Sequence, residues 1–84
     1  MDPINFKSLL DEQINWPDFY VFKFITKTDK KHHVINELSG HKIQQKASKN
    51  GKYTSITSRK LLNSSDEVLE IYSKINKIEG VIKL

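Results

Sequence analysis

Ser48-Lys49-Asn50-Gly51-Lys52-Tyr53-Thr54-Ser55-Ile56-Thr57 is the stretch whose reading decides the fold. Asn-Gly tolerates positive φ at both centres of a type I′ turn, so Asn50-Gly51 is expected to join two antiparallel strands, over residues 41–48 and 52–60. That turn sets a register in which Tyr53 faces Ser48, Thr54 faces Ala47, Ser55 faces Lys46, Ile56 faces Gln45, Thr57 faces Gln44, Ser58 faces Ile43 and Arg59 faces Lys42. Side chains alternate across a strand, so Ile43, Gln45, Ala47, Thr54, Ile56 and Ser58 share one face. The opposite face collects Lys42, Gln44, Lys46, Ser48, Tyr53, Ser55, Thr57 and Arg59. The first face is modestly apolar and suits a core; the second is basic and polar.

Upstream of the hairpin, Phe19 to Thr26 is the most aromatic and β-prone run, and it is apolar on both faces, as in a central strand. Burying Tyr20, Phe22 and Phe24 keeps the charge of Lys23 in water and hides the larger volume, so Val21, Lys23 and Ile25 are expected on the open side. Between strand and hairpin, Thr28 is positioned to cap a helix through Leu38, with Ser39-Gly40 as its stop. Downstream, Ser64-Ser65-Asp66-Glu67 fits a capping box ahead of Val68, Leu69, Ile71, Tyr72, Ile75 and Ile78, a helical apolar stripe. Gly80 then turns the chain into a short final strand, Val81 to Leu84. At the start of the chain, Asp2-Pro3 reads as N-cap and first helical residue, with Phe6, Leu9, Leu10 and Gln13 or Ile14 behind it. This helix ends before Trp16-Pro17, because the residue preceding proline is pushed out of the α region.

After that first helix the order is βαββαβ, an α+β ferredoxin-like sandwich. Right-handed crossovers give a four-stranded antiparallel sheet of order 4-1-3-2 with two helices on one face. Residues 1–15 form an N-terminal helical extension and residues 16–84 the sandwich. The open face should carry Val21, Lys23, Ile25, Lys42, Gln44, Lys46, Tyr53, Ser55, Thr57 and Arg59.

The chain has 84 residues, enough for one two-layer core. Its hydrophobic content of 37% and charged content of 29% are those of a globular domain. No cysteine is present, which removes disulfides, thiolate ligands and thiol nucleophiles together. Met1-Asp2-Pro3 lacks a basic leader and no apolar run is long enough to cross a bilayer, so a cytoplasmic location without membrane contact is expected. The net charge of +4 is concentrated between His41 and Lys60, a stretch with no acidic residue.

Three groups of residues carry a family resemblance: Pro17-x-x-Tyr20-x-Phe22-Lys23, then Ser48-Lys49-x-Gly51-Lys52-Tyr53-x-Ser55-Ile56, then Val68-x-x-x-Tyr72 with Ile75, Ile78 and Val81. Together they resemble the YbeD-like family of small uncharacterised bacterial proteins, over residues 16–84. The resemblance implies a ferredoxin-like fold similar to ACT regulatory domains and a cytoplasmic bacterial protein of unassigned biochemical role. The chain departs from that pattern in its longer N-terminal helix and in having Thr26 where relatives carry glycine.

Catalytic chemistry finds little to work with. His32 and His33 are neighbours on a helix and point about a hundred degrees apart, which argues against joint ligation of one ion. Ser55 and Ser64 have no histidine and acid at triad spacing, and Asn50-Gly51 is consumed by its turn rather than cradling phosphate. No enzymatic activity, metal or cofactor is therefore expected. A basic sheet backed by helices is also the layout of RNA-recognition domains, but those stack bases on paired aromatic rings, and here Tyr53 stands alone on the open face. The reading favoured by these residues is a regulatory or protein-interaction module. Lys23, Lys42, Lys46, Tyr53, Ser55 and Arg59 would bind an unknown protein or small anionic ligand; a homodimer is a further expectation, and weak nucleic-acid binding the alternative.

Overall fold

The structure is a computed structural model that describes residues 3–84. Its elements are α1 (Pro3–Gln13), β1 (Asp18–Lys27), a 3-10 turn (Thr28–Lys30) running into α2 (Lys31–Glu37), β2 (Lys42–Ala47), β3 (Tyr53–Leu62), α3 (Ser65–Asn76) and β4 (Ile82–Lys83). The strands form one antiparallel sheet in the order β2-β3-β1-β4, which is the expected 4-1-3-2 arrangement read from the other edge. This is a ferredoxin-like sandwich.

The sheet's two faces follow from alternation. Phe22, Phe24 and Thr26 of β1 and Thr54, Ile56 and Ser58 of β3 are buried against the helices. Val34 and Leu38 close over them from the α2 segment, and Val68, Ile71 and Ile75 from α3. Tyr72 of α3 meets Phe22 edge-on at 5.3 Å and Phe24 at 6.1 Å. Such edge-to-face pairs add about 0.5–1.5 kcal/mol each to what area burial provides.

Alpha1 packs on this chain's own α3. Its Phe6 ring meets Tyr72 at 5.8 Å, and Leu10 joins the buried core. Lys7 Nζ donates to Ser65 Oγ at 2.9 Å and pairs with Asp66 at 3.1 Å, tying α1 to the first turn of α3. Of the expected apolar stripe, Leu9 points outward and is exposed, because Phe6, Leu10 and Ile14 at four-residue spacing already fill the contact. The expected cap Asp2 lies outside the described residues.

Three local expectations are corrected. The hairpin keeps its register, residue for residue from Lys42↔Arg59 to Ala47↔Thr54, but not through a type I′ turn. Gly51 has φ 73°, whereas Asn50 is not at positive φ. Gly51 N–H donates to the Ser48 carbonyl at 2.8 Å and Ser48 N–H to the Tyr53 carbonyl at 2.7 Å, so the loop runs over residues 49–52. The reason is the Asn50 side chain. Its Oδ1 accepts from Lys52 N–H and from Ser48 Oγ, each at 3.0 Å, and Ser48 Oγ accepts from Tyr53 N–H at 3.0 Å. An asparagine bonded to the loop backbone through its side chain has no need of the left-handed region.

Thr28, second, does not cap its helix: its hydroxyl bonds that of Thr54 at 2.8 Å, across the sheet. Third, the capping box is half formed. Ser64 is the N-cap of α3 by position but makes no side-chain cap bond, and Glu67 accepts from the backbone N–H of Asn63 instead.

A candidate binding face

The strand registers place side chains on the open face in rows. Phe19 stands opposite Leu61; Val21, Arg59 and Lys42 form the next row; then Lys23, Thr57 and Gln44. Ile82, Ile25, Ser55 and Lys46 follow, and Lys27 lies opposite Tyr53 at the far end. Every position expected on the open face is there.

The six candidate site residues divide. Lys23, Lys46 and Ser55 border one shallow depression of about 520 Å³, together with Gln44 and Thr57. Lys42 and Arg59 border a second of about 160 Å³ that shares Gln44 and Thr57. Tyr53 borders neither. It stands at the end of β3, opposite Lys27 and with Lys52 Nζ 5.9 Å from its ring centre, while the candidate cations Lys23, Lys42, Lys46 and Arg59 border the two depressions instead. The ring that holds a cation closely is Phe19, where the Arg59 guanidinium carbon lies 3.9 Å from the ring centre. Sequence reasoning puts Phe19 on the same side of its strand as Val21, Lys23 and Ile25 but leaves Lys27, Leu61 and Ile82 out of this face, although strand parity places all three there once the ends of β1, β3 and β4 are known.

Ion pairs among the described residues are Lys7–Asp11, Lys7–Asp66 and Lys74–Glu70, all on α1 and α3. No open-face cation is in one. Phe19 and Tyr53, the aromatic rings of this face, sit eight positions apart along the paired strands. At about 3.4 Å per residue that is roughly 27 Å, far beyond the adjacent rings on which bases stack.

On the helix side, His41 Nδ1 lies 3.2 Å from Ser58 Oγ, a contact not foreseen from the sequence because it depends on the turn between α2 and β2. Burial, with Lys60 adding to it, pushes the His41 imidazole below its usual value, so the fold favours its neutral form. Burial also raises the Tyr72 phenol, and a hydrogen bond with Tyr20 adds to the effect. The Asp66 bond holds the Lys7 ammonium above its usual range. The His32 and His33 rings approach to 4.0 Å, closer than helical geometry alone suggested. Among the described residues no group of three or more His, Cys, Asp or Glu is placed to hold a metal ion, and no helix is long and apolar enough to cross a membrane.

Fold and face together define a small ferredoxin-like sandwich with a basic, uncovered sheet. The family model "Protein of unknown function (DUF493)" matches residues 11–84, and the chain belongs to that family, the one to which its YbeD-like resemblance points. Among solved structures it is similar to the solution structure of protein HP0495 from H. pylori, with a TM-score of 0.72 and 24% identity over 86% of each chain. That likeness speaks to the fold. No curated protein matches the chain significantly.

Proposed function

We propose that this protein is a non-enzymatic, cytoplasmic, ACT-like regulatory or interaction module whose open sheet face binds an acidic partner or small anion. One observation carries the reading: among the described residues, Lys23, Lys27, Lys42, Lys46 and Arg59 share a face that holds no acidic side chain, and none of them is in an ion pair. Cations with open-face neighbours such as Ser55, Thr57 and Gln44 can hold a carboxylate by charge-assisted hydrogen bonds. Two copies stacked face to face would bring like charges together, so the face suits an oppositely charged partner better than a second copy. The His41–Ser58 pair offers no accessible nucleophile, because Ser58 is fully buried.

The test is a titration with a fluorescent polyglutamate peptide and, separately, with random and defined single-stranded RNA, at low and physiological salt. The wild-type protein should bind the peptide, and the Lys23→Glu/Lys46→Glu/Arg59→Glu variant should lose on the order of tenfold or more in affinity. RNA binding should be weak, strongly salt-dependent and indifferent to sequence. Tight, sequence-selective RNA binding that survives physiological salt would overturn the assignment in favour of a nucleic-acid reader.

A further inference from the structure

Beta1 spans Asp18–Lys27 and pairs with β3 along its whole length, but β4 covers little of its outer edge. The β4 register reaches Phe24↔Lys83 and Ile25↔Ile82, and Leu84 N–H adds a bond to the Lys23 carbonyl at 2.9 Å. In an antiparallel ladder the N–H and C=O of one residue point to the same side, and those of its neighbours to the other. The bond at Lys23 therefore shows that the odd-numbered residues of β1 present their backbone to the outer edge. Phe19 N–H is satisfied by the Asp18 carboxylate at 2.7 Å. Val21 N–H, Val21 C=O and Phe19 C=O face outward beyond the last β4 pairing, with no partner strand among the described residues.

The sheet's two outer edges differ. Beta2 carries Lys42 and Lys46, the kind of residue that discourages strand addition. The uncovered part of β1 carries Phe19 and Val21, exposed at 51% and 55%. Beneath this edge, in the space a longer neighbouring strand would roof, lies a groove of about 820 Å³ lined by Phe6, Tyr20, Leu69, Tyr72 and Leu84, with Lys83 at its rim. Above it, on the open face, Lys23 stands in β1 itself and Arg59 reaches from β3 onto the Phe19 ring.

We propose that the outer edge of β1 from Phe19 to Val21 receives an extended segment of a partner protein as an added strand, with alternating acidic and apolar residues. Its backbone would bond Val21 N–H and the carbonyls of Val21 and Phe19. Its apolar side chains would enter the groove of Phe6, Tyr20, Leu69 and Tyr72, and its carboxylates would rise on the open face toward Lys23 and Arg59. Main-chain bonds then supply affinity and the alternation supplies selectivity. This inference rests on the proposed binding of acidic partners at the open face and names the form such a partner takes.

The probe is the synthetic peptide Glu-Val-Glu-Leu-Glu-Val-Glu, compared with the same peptide N-methylated at alternate residues, in each of the two phases. N-methylation keeps charges and side chains but removes donors, so it leaves the protein untouched. Amide exchange followed by NMR should show the Val21 amide slowed by the unmodified peptide on the order of tenfold or more, and one methylated phase should bind about tenfold more weakly than the other. Equal affinity for all three peptides, with binding still abolished in the Lys23→Glu/Arg59→Glu variant, would overturn the strand-addition inference and leave the acidic-partner reading standing. Indifference of all three peptides to that charge reversal would overturn both. Protection of the Val21 amide that grows with protein concentration and without peptide would place a second copy on this edge, and also overturns the proposal.

Discussion

Phe22 and Val21 are neighbours on one strand, yet the first is fully buried and the second 55% exposed. The same division runs along β3, where Ile56 is sealed against the helices while Arg59 lies in the open against Phe19. On the helix-covered face the residues are there for volume: aromatic rings, branched aliphatics and small hydroxyls that bond one another, as Thr28 and Thr54 do. On the uncovered face charge is retained with little return to the fold beyond the contact of Arg59 with Phe19, since among the described residues none of its cations is in an ion pair. A sheet this small could have been finished with neutral polar residues. That the uncovered face keeps one sign of charge, around an exposed apolar column, separates what holds this protein together from what it leaves in solvent.

Substitutions on the two faces should therefore act on different quantities. The largest stability effect is expected from Phe22→Ala, about 3–5 kcal/mol by urea unfolding, because it empties the centre of the aromatic cluster. A loss below about 1 kcal/mol would mean that this cluster is not the core. Gly51→Val comes next, at about 1–3 kcal/mol, with the register kept. A Cβ there would meet nothing within 4 Å, so the whole cost is the positive φ, and Gly51→Asn should recover much of it. On the open face, Arg59→Ala should cost only the contact with Phe19, about 0.5–1 kcal/mol, and Lys46→Glu should stay within about 0.5 kcal/mol of wild type. A large loss from either would erase the distinction between the faces.

The smallest effect is one of pH. The His41 value is lowered from 6.5 in the fold, so the unfolded chain takes up this proton more readily than the folded one. The stability that His41 contributes is present above that value and is lost as pH falls below it toward the folded one. A shallow drop in melting midpoint over that window is expected, flattened in His41→Gln. A wild-type profile that rises as pH falls there would contradict the burial of this ring.

Alternation was legible in the sequence because it depends on chain geometry alone. The central aromatic strand, the hairpin register and every residue assigned to the open face follow from a period of two and one turn. Competition between local hydrogen bonds was not legible. Asn50 had two ways to make a turn and used its side chain, Thr28 had a helix end and a sheet neighbour to choose between, and Glu67 reached Asn63 rather than Ser64. Sequence spacing ranks such choices poorly, since each differs by a single bond. The candidate site shows the same limit. Which residues share the face could be read, but the stacking of Arg59 on Phe19, and so the displacement of the cationic centre from Tyr53, depends on where a long flexible side chain comes to rest.

Methyl NMR during titration with the polyglutamate peptide tests the separation of the faces most directly, because isoleucine and valine methyls report from both. Signals of Val21, Ile25 and Ile82 on the open face should move, while those of Val34, Ile56 and Ile75 in the core stay in place. Movement of Val34, Ile56 and Ile75 with Val21, Ile25 and Ile82 unchanged would contradict the separation.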